Sequence, residues 1–208
     1  MLEVTELACL RGDRMLFADV ALTVRPGELV RIAGPNGVGK TSLLRLLCGL
    51  AMPEHGQVSW KGARIDRARE AFHRDTLYLG HAAALNDLLS PLENLRFAAA
   101  CHGLSADVGQ SELALERIGL GPQRDLPAKV LSQGQRRRVG LARLYLSENV
   151  PLWILDEPFT ALDVTAVRDL AEWLDAHCAR GGMVVMTTHQ DVPFATPMRT
   201  VDLAESAC

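Results

Sequence analysis

Gly34-Pro35-Asn36-Gly37-Val38-Gly39-Lys40-Thr41 is the stretch whose residue types and spacing are best suited to chemistry. It reads G-x-x-x-x-G-K-T, follows the apolar run Leu29–Ala33, and opens a helical pattern through Leu43, Leu44, Leu46 and Leu47. Glycines let successive backbone N–H groups turn inward on an anion without Cβ clashes. Free amides at the start of the following helix add a positive field. Lys40 is then in reach of β- and γ-phosphates, the Thr41 hydroxyl of Mg²⁺, and Ser42 of the same ATP phosphates. The plain alternative is a glycine-rich turn before a buried helix, and that would not call for Lys and Thr at these positions.

Two further groupings matter. Leu152-Trp153-Ile154-Leu155 leads straight into Asp156 and Glu157, so two carboxylates follow a short apolar strand. Downstream of a phosphate loop, the first would hold Mg²⁺, directly or through water. The second would orient and deprotonate the water that attacks the γ-phosphate, a role worth about 10²–10⁴ in rate. A lone Asp-Glu pair after a strand is usually a solvated turn; the loop upstream changes that reading. The third grouping is Leu131-Ser132-Gln133-Gly134-Gln135, in which Ser132 and Gln135 form a capping box for a helix through Val139, Ala142 and Leu146. Alone, it is only a helix start.

These groups need a scaffold. Leu2 and Val4, then Val20, Leu22 and Val24, alternate with polar residues as strands do, and Arg25-Pro26-Gly27 is a turn. Gln57–Trp60 reads as a short strand and Thr76–Leu79 as a buried one. From Asn86 to Val130 the character turns helical. Ser90-Pro91-Leu92-Glu93 gives an N-cap, a proline at the first helical position and a capping glutamate. Glu112–Ile118 is a second helix, with Gly119 as its left-handed cap. The α/β pattern resumes with Leu152–Leu155, a helix from Val167 to Cys178, and the strand Met183–Met186. Strands alternating with helices predict a largely parallel sheet with ligands at its carboxyl edge.

The 208 residues carry a formal net charge of −3, which offers no polyelectrolyte signature and no call for nucleic acid as a partner. Arg136-Arg137-Arg138, on a predicted helix, reads as a solvated or phosphate-facing edge. Cys9, Cys48, Cys101, Cys178 and Cys208 stand singly, an odd count that argues for a reducing compartment and against disulfides or structural zinc. The first residues have no basic-then-apolar signal segment, and no apolar run approaches membrane-span length, so any membrane attachment is expected to be peripheral.

Together the order of these motifs resembles the ATP-binding cassette (ABC) ATPases over essentially the whole chain. Leu131–Gln135 is similar to that family's signature motif, with Gln133 in place of the usual first glycine. Ala161-Leu162-Asp163 is similar to the D-loop, and His189 after Met186-Thr187-Thr188 to the switch histidine that meets the γ-phosphate. The resemblance implies an α/β fold: a P-loop NTPase core (residues 1–85 and 131–208) with an N-terminal antiparallel β subdomain and an inserted helical subdomain (86–130). It implies ATP and Mg²⁺, with Thr41, Asp156 and His81 at the metal. It also implies head-to-tail pairing with a second copy, whose Ser132, Gln133, Gly134 and Gln135 complete the site.

The chain departs from the pattern at two places. His81, after Tyr78-Leu79-Gly80, stands where the family carries the glutamine of its Q-loop, and histidine there can still hydrogen-bond the attacking water. Arg11-Gly12 stands where an aromatic ring usually stacks on adenine; the guanidinium plane of Arg11 can take that place. A narrower likeness rests on Tyr78–His81, Ser90–Leu95, Leu152–Asp163, Thr187–Gln190 and the short length. These resemble the ATP-binding subunits of haem exporters in bacterial cytochrome c maturation. They imply a peripheral subunit on the cytoplasmic face of the inner membrane, working with the membrane proteins CcmB, CcmC and CcmD. Three rivals share parts of the pattern: an ABC ATPase for another substrate, a soluble non-transport ABC protein, and a small-molecule kinase. The second expects tandem cassettes or a long coiled-coil insertion. The third expects an acceptor lid in place of the signature helix.

Overall fold

The computed structural model of the chain describes residues 1–104 and 107–207; Cys208 lies outside them. Alternating apolar residues build its first layer. β1 (Leu2–Arg11) pairs antiparallel with β2 (Arg14–Val24), from Leu2 opposite Val24 to Arg11 opposite Arg14. The Pro-Gly turn leads into β3 (Leu29–Ala33), and α1 (Lys40–Leu47) follows the glycine-rich loop. β4 (His55–Trp60) returns to the other edge of β1, with β5 (Ala63–Arg64) beside it. Next come α2 (Arg69–Arg74), β6 (Thr76–Leu79), α3 (Pro91–Cys101), α4 (Val108–Arg117) and α5 (Gln133–Leu146). The chain closes with β7 (Leu152–Asp156), α6 (Val164–Ala179), β8 (Met183–Thr187) and β9 (Met198–Asp202).

Two sheets result. One is antiparallel, in the order β2-β1-β4-β5; the other is parallel throughout, in the order β6-β7-β8-β3-β9. The four leucines of α1 lie between them, packed against Leu2, Val4 and Leu7 on one side and Val30, Ile32, Ile154 and Val185 on the other. The opposite face of the parallel sheet, Leu77, Trp153, Leu155, Val184 and Met186, is covered by α5 and α6. β7 is therefore buried on both faces, which is why it reads as an unbroken apolar run. Leu152, Ile154 and Leu155 are fully buried, each worth roughly 1.5–3 kcal/mol by area. α5 serves two cores: Leu141 and Leu144 face the sheet, while Val139 and Ala142 pack with Leu95, Leu115 and Leu120 of the helical segment.

The predicted elements form, with differences: β5 is an added two-residue strand, and α6 begins at Val164 instead of Val167, behind an Asp163 cap. α4 begins at Val108 instead of Glu112, because Asp107 and Gln110 make a capping box of their own. β9 is largely exposed and pairs only with β3, so no apolar run announces it. The short α2 is also new. Among the described cysteines, Cys9, Cys48 and Cys178 are buried, Cys101 is exposed, and all four are free thiols.

Candidate active site

Parallel pairing puts the carboxyl ends of β3, β6, β7 and β8 at one edge of the sheet. The glycine-rich loop follows β3, His81 follows β6, Asp156 and Glu157 end β7, and His189 follows β8. The loop itself requires glycine. Gly34, Gly37 and Gly39 have φ of 135°, 83° and 110°, and a Cβ on Gly39 would lie 3.0 Å from the Phe17 ring. Gly39 caps α1 without a side chain, which leaves the first amides of that helix directed at the loop. Lys40 Nζ donates to the carbonyls of Gly34 (2.8 Å) and Pro35 (3.1 Å). The Val38 side chain is buried in the core, so only its backbone faces the loop.

Asp156 is buried and accepts two hydroxyl hydrogen bonds, from Thr41 Oγ1 at 2.9 Å and Thr187 Oγ1 at 2.8 Å. Thr187 Oγ1 accepts in turn from the Glu157 N–H at 3.0 Å. Glu157 takes a left-handed backbone, φ 51°, rare for an L side chain and held only where the surroundings enforce it. Its Oε2 accepts from the His189 N–H at 3.3 Å, and the His189 ring Nε2 lies 3.6 Å from Oε1. Glu157 Oε1 is buried with no hydrogen-bond donor, an acceptor available to a water or substrate proton.

These groups line one cavity of about 500 Å³. Arg11, Asn36, Gly37, Gly39, Lys40, Thr41, Ser42, His81, Asp156, Glu157 and His189 all reach it. Thr160 and Gln190, which the sequence offers only inside longer family-like segments, line it as well, and so does Leu16, which nothing in its local sequence marks. Thr41 Oγ1 and Asp156 Oδ2, 2.9 Å apart, are the hard oxygen donors that suit Mg²⁺, an ion that takes few protein ligands and completes its shell with phosphate and water. Among the described residues, no three His, Cys, Asp or Glu side chains converge to hold a metal unaided.

The remaining candidates lie elsewhere. Ser132, Gln133, Gly134 and Gln135 do not line this cavity. Ser132 caps α5: its Oγ accepts from the Gln135 N–H at 3.2 Å, and Gln135 Oε1 accepts from the Ser132 N–H at 2.9 Å. Ser132 and Gln133 are exposed, so this helix start faces outward. Asp163 caps α6 by accepting from the Ala166 N–H at 2.9 Å and pairs with Arg138 on α5. The Ala166 amide first, and Arg138 with it, hold the Asp163 carboxyl below the usual range.

The arginine run is neither the solvated nor the phosphate-facing edge its sequence suggests, since none of the three lines the cavity. Arg136 donates to the Ala128 carbonyl and pairs with Asp87, Arg138 pairs with Asp163, and Arg137 is buried. Consecutive helical residues point about 100° apart, so three neighbours reach three different loops. Arg137 bridges the carbonyls that follow β6 and those at the end of β7.

The ABC transporter family matches this chain over residues 17–160. The cytochrome c biogenesis ATP-binding export protein CcmA of Aromatoleum aromaticum is 63% identical over 207 residues, covering 100% of this chain and 97% of that protein. Among solved structures, the ATP-binding subunit of an ABC transporter is 30% identical with a TM-score of 0.81, covering 91% of this chain and 79% of that one. A bacterial ABC transporter cassette solved as a dimer is 25% identical with a TM-score of 0.81, over 98% and 95% of the two chains.

Proposed function

From the premise that this chain belongs to the ABC transporter family of ATPases, we propose that it is the ATP-hydrolysing subunit of an exporter serving c-type cytochrome biogenesis. The observation that carries the chemistry is the unpaired Glu157 Oε1, buried beside the Thr41–Asp156 pair and the glycine-rich loop. The backbone amides from Asn36 to Ser42 and the Lys40 ammonium bind the phosphates of ATP. Glu157 takes the proton of the attacking water, and His189 orients that carboxylate while facing the γ-phosphate. Thr41 and Asp156 would hold a Mg²⁺ ion, which would supply positive charge to offset that of the phosphates. His81 adds a hydrogen bond to the attacking water, and Arg11 stacks on adenine at the cavity mouth.

The exposed signature start, turned away from its own cavity, supports a composite site. Two copies pair head to tail, so that Ser132 to Gln135 of one meet the γ-phosphate in the other, with Asp163 at the seam. ATP joins the pair and hydrolysis releases it, because two positive helix starts then face each other without the phosphates between them. Residues 86–130 act as a helical subdomain that passes this motion to CcmB, CcmC and CcmD, in service of haem handover. The likeness to CcmA supports a peripheral place on the cytoplasmic face of the inner membrane. Among the described residues no helix is long and apolar enough to cross a membrane.

Glu157→Gln should retain ATP binding and ATP-dependent dimerisation while turnover falls by about 10²–10⁴. Sedimentation with Mg-ATP and membrane partners checks this, and a protein that stays monomeric at high concentration excludes the composite site. Deletion in the source bacterium should abolish covalent c-type cytochromes, restored by the wild-type gene and not by Lys40→Ala. Normal cytochromes would remove the export assignment and leave the ATPase assignment standing.

A further inference from the structure

Arg137 has no part in the roles given above and does not line the cavity, yet it makes four hydrogen bonds to the segments that carry His81 and Glu157. It projects from the first turns of α5 into the interior and is 8% exposed. Nη1 donates to the carbonyls of Gly80 at 2.5 Å and His81 at 3.0 Å. Nη2 donates to those of Asp156 at 2.6 Å and Glu157 at 2.8 Å. The two pairs of carbonyls leave β6 and β7, which are neighbours in the sheet. One planar side chain therefore ties together the segment carrying His81, the base Glu157 and the signature helix.

Stability alone does not explain this choice. All four acceptors are backbone carbonyls, and Nε has no acceptor. Removing a cation from water is costly, and an apolar side chain of similar volume generally packs as well. A rigid guanidinium does what such a side chain does not: it holds two pairs of oxygens at one spacing. The Glu157 peptide is left-handed, and apart from Arg137 it is held by its N–H on Thr187 at 3.0 Å and by its carbonyl accepting from the Thr160 N–H at 3.2 Å, both partners lying outside the Gly80–His81 segment and α5.

We propose that Arg137 is a positioning residue for hydrolysis, which clamps the Glu157 peptide from the carbonyl side and couples it to the Gly80–His81 segment. A displacement of that segment, or of α5, then reaches Glu157 through one rigid group. A shift of the Glu157 carboxylate by about 1 Å changes the rate while phosphate binding, carried by the loop after β3, is untouched. This inference rests on the assignment of Glu157 as the base.

The test is steady-state hydrolysis by the full chain with its membrane subunits, for Arg137→Lys and Arg137→Gln, each also placed in the Glu157→Gln background. Lysine keeps the charge and loses the fork. Glutamine loses the buried charge and keeps donors for one pair of carbonyls, and thermal unfolding of each variant shows that it is folded at the assay temperature. Each single variant should lower kcat by about 10- to 100-fold, the size expected of a misplacement of about 1 Å, with KM for ATP held within about threefold. In the Glu157→Gln background the same changes should alter the residual rate less than about twofold, because the group they act through is gone. Unchanged kcat in both single variants overturns the inference. So does a KM that rises with the loss of kcat, or a loss that simply adds to that of Glu157→Gln. A Glu157→Gln protein with wild-type turnover would overturn the base assignment first, and this inference with it, whereas silent Arg137 variants leave that assignment intact.

Discussion

Replacing Thr187 by valine exchanges one hydroxyl for a methyl group of nearly the same volume at a fully buried site. The hydroxyl oxygen accepts from the Glu157 N–H at 3.0 Å and donates to Asp156 Oδ1 at 2.8 Å. Valine leaves the amide of a left-handed residue without an acceptor and takes one of the two hydroxyl donors from a buried carboxylate. An orphaned buried donor costs about 1–3 kcal/mol and a hydrogen bond to a charged group is worth about 1.5–3, and because the two share an atom they overlap instead of summing. We expect a loss of about 3 kcal/mol, which in a chain of this size lowers Tm by about 6–12 °C. Thr187→Ser keeps both bonds and loses only a methyl group, at about 1 kcal/mol. Thermal unfolding of the three proteins, alongside ATP titration and turnover, separates the bonds from the packing. Valine should also lower kcat while ATP binding persists, since the phosphate loop lies on another strand. A valine variant as stable and as active as the serine variant would refute the bridging role.

Two predictions concern other parts of the chain. Gly39→Ala puts a Cβ on a residue with φ 110° and against the Phe17 ring, so it should cost about 1–3 kcal/mol of stability. It should also weaken ATP binding at least about tenfold, or ~1.4 kcal/mol, by calorimetric titration; an unaltered Kd would show that the loop backbone does not set affinity. His177 is buried and stacked on Trp153, with ring centroids 3.6 Å apart. Burial first, then Arg180, holds it down to about 4, against the opposing pull of the Pro151 backbone. Its folded value lies below the unfolded one near 6.5, so the neutral ring stabilises fully above about pH 6.5 and that stability is lost as pH falls towards 4. At pH 5 the deficit is about 2 kcal/mol, measured by urea unfolding at pH 7 and 5. His177→Phe should remove most of the difference, and a wild-type protein equally stable at both values would show that the ring is not buried neutral.

Much of the architecture is written locally. Gly-x-x-x-x-Gly-Lys-Thr needs only its own left-handed glycines and the helix behind it. The capping boxes at Ser90 and Ser132 close within four residues, and both form as read. β7 is legible because burial on both faces demands a continuous apolar run. β9 is not, because an exposed edge strand owes its existence to β3 and not to its own side chains. The start of α4 is hidden in the sequence because its first turn carries Val108 and Gly109, weak helix formers that the Asp107 cap overrides.

The cavity divides the same way. The glycine-rich loop and the Asp156–Glu157 pair stand out as candidates by type and spacing alone, because the strand–loop–helix context is contained in a short stretch. The identity of Thr187 as the bridge between Asp156 and Glu157 depends on β8 lying beside β7, which no local pattern states. Arg137 is the clearest case. In sequence it is the middle of three arginines; in the fold it reaches carbonyls up to 57 residues away, and its neighbours point to other loops. Local backbone geometry is encoded residue by residue, whereas the partners of a buried polar group are chosen by which strands and helices pack together, so only tertiary structure decides which of three identical side chains bridges the segments after β6 and β7.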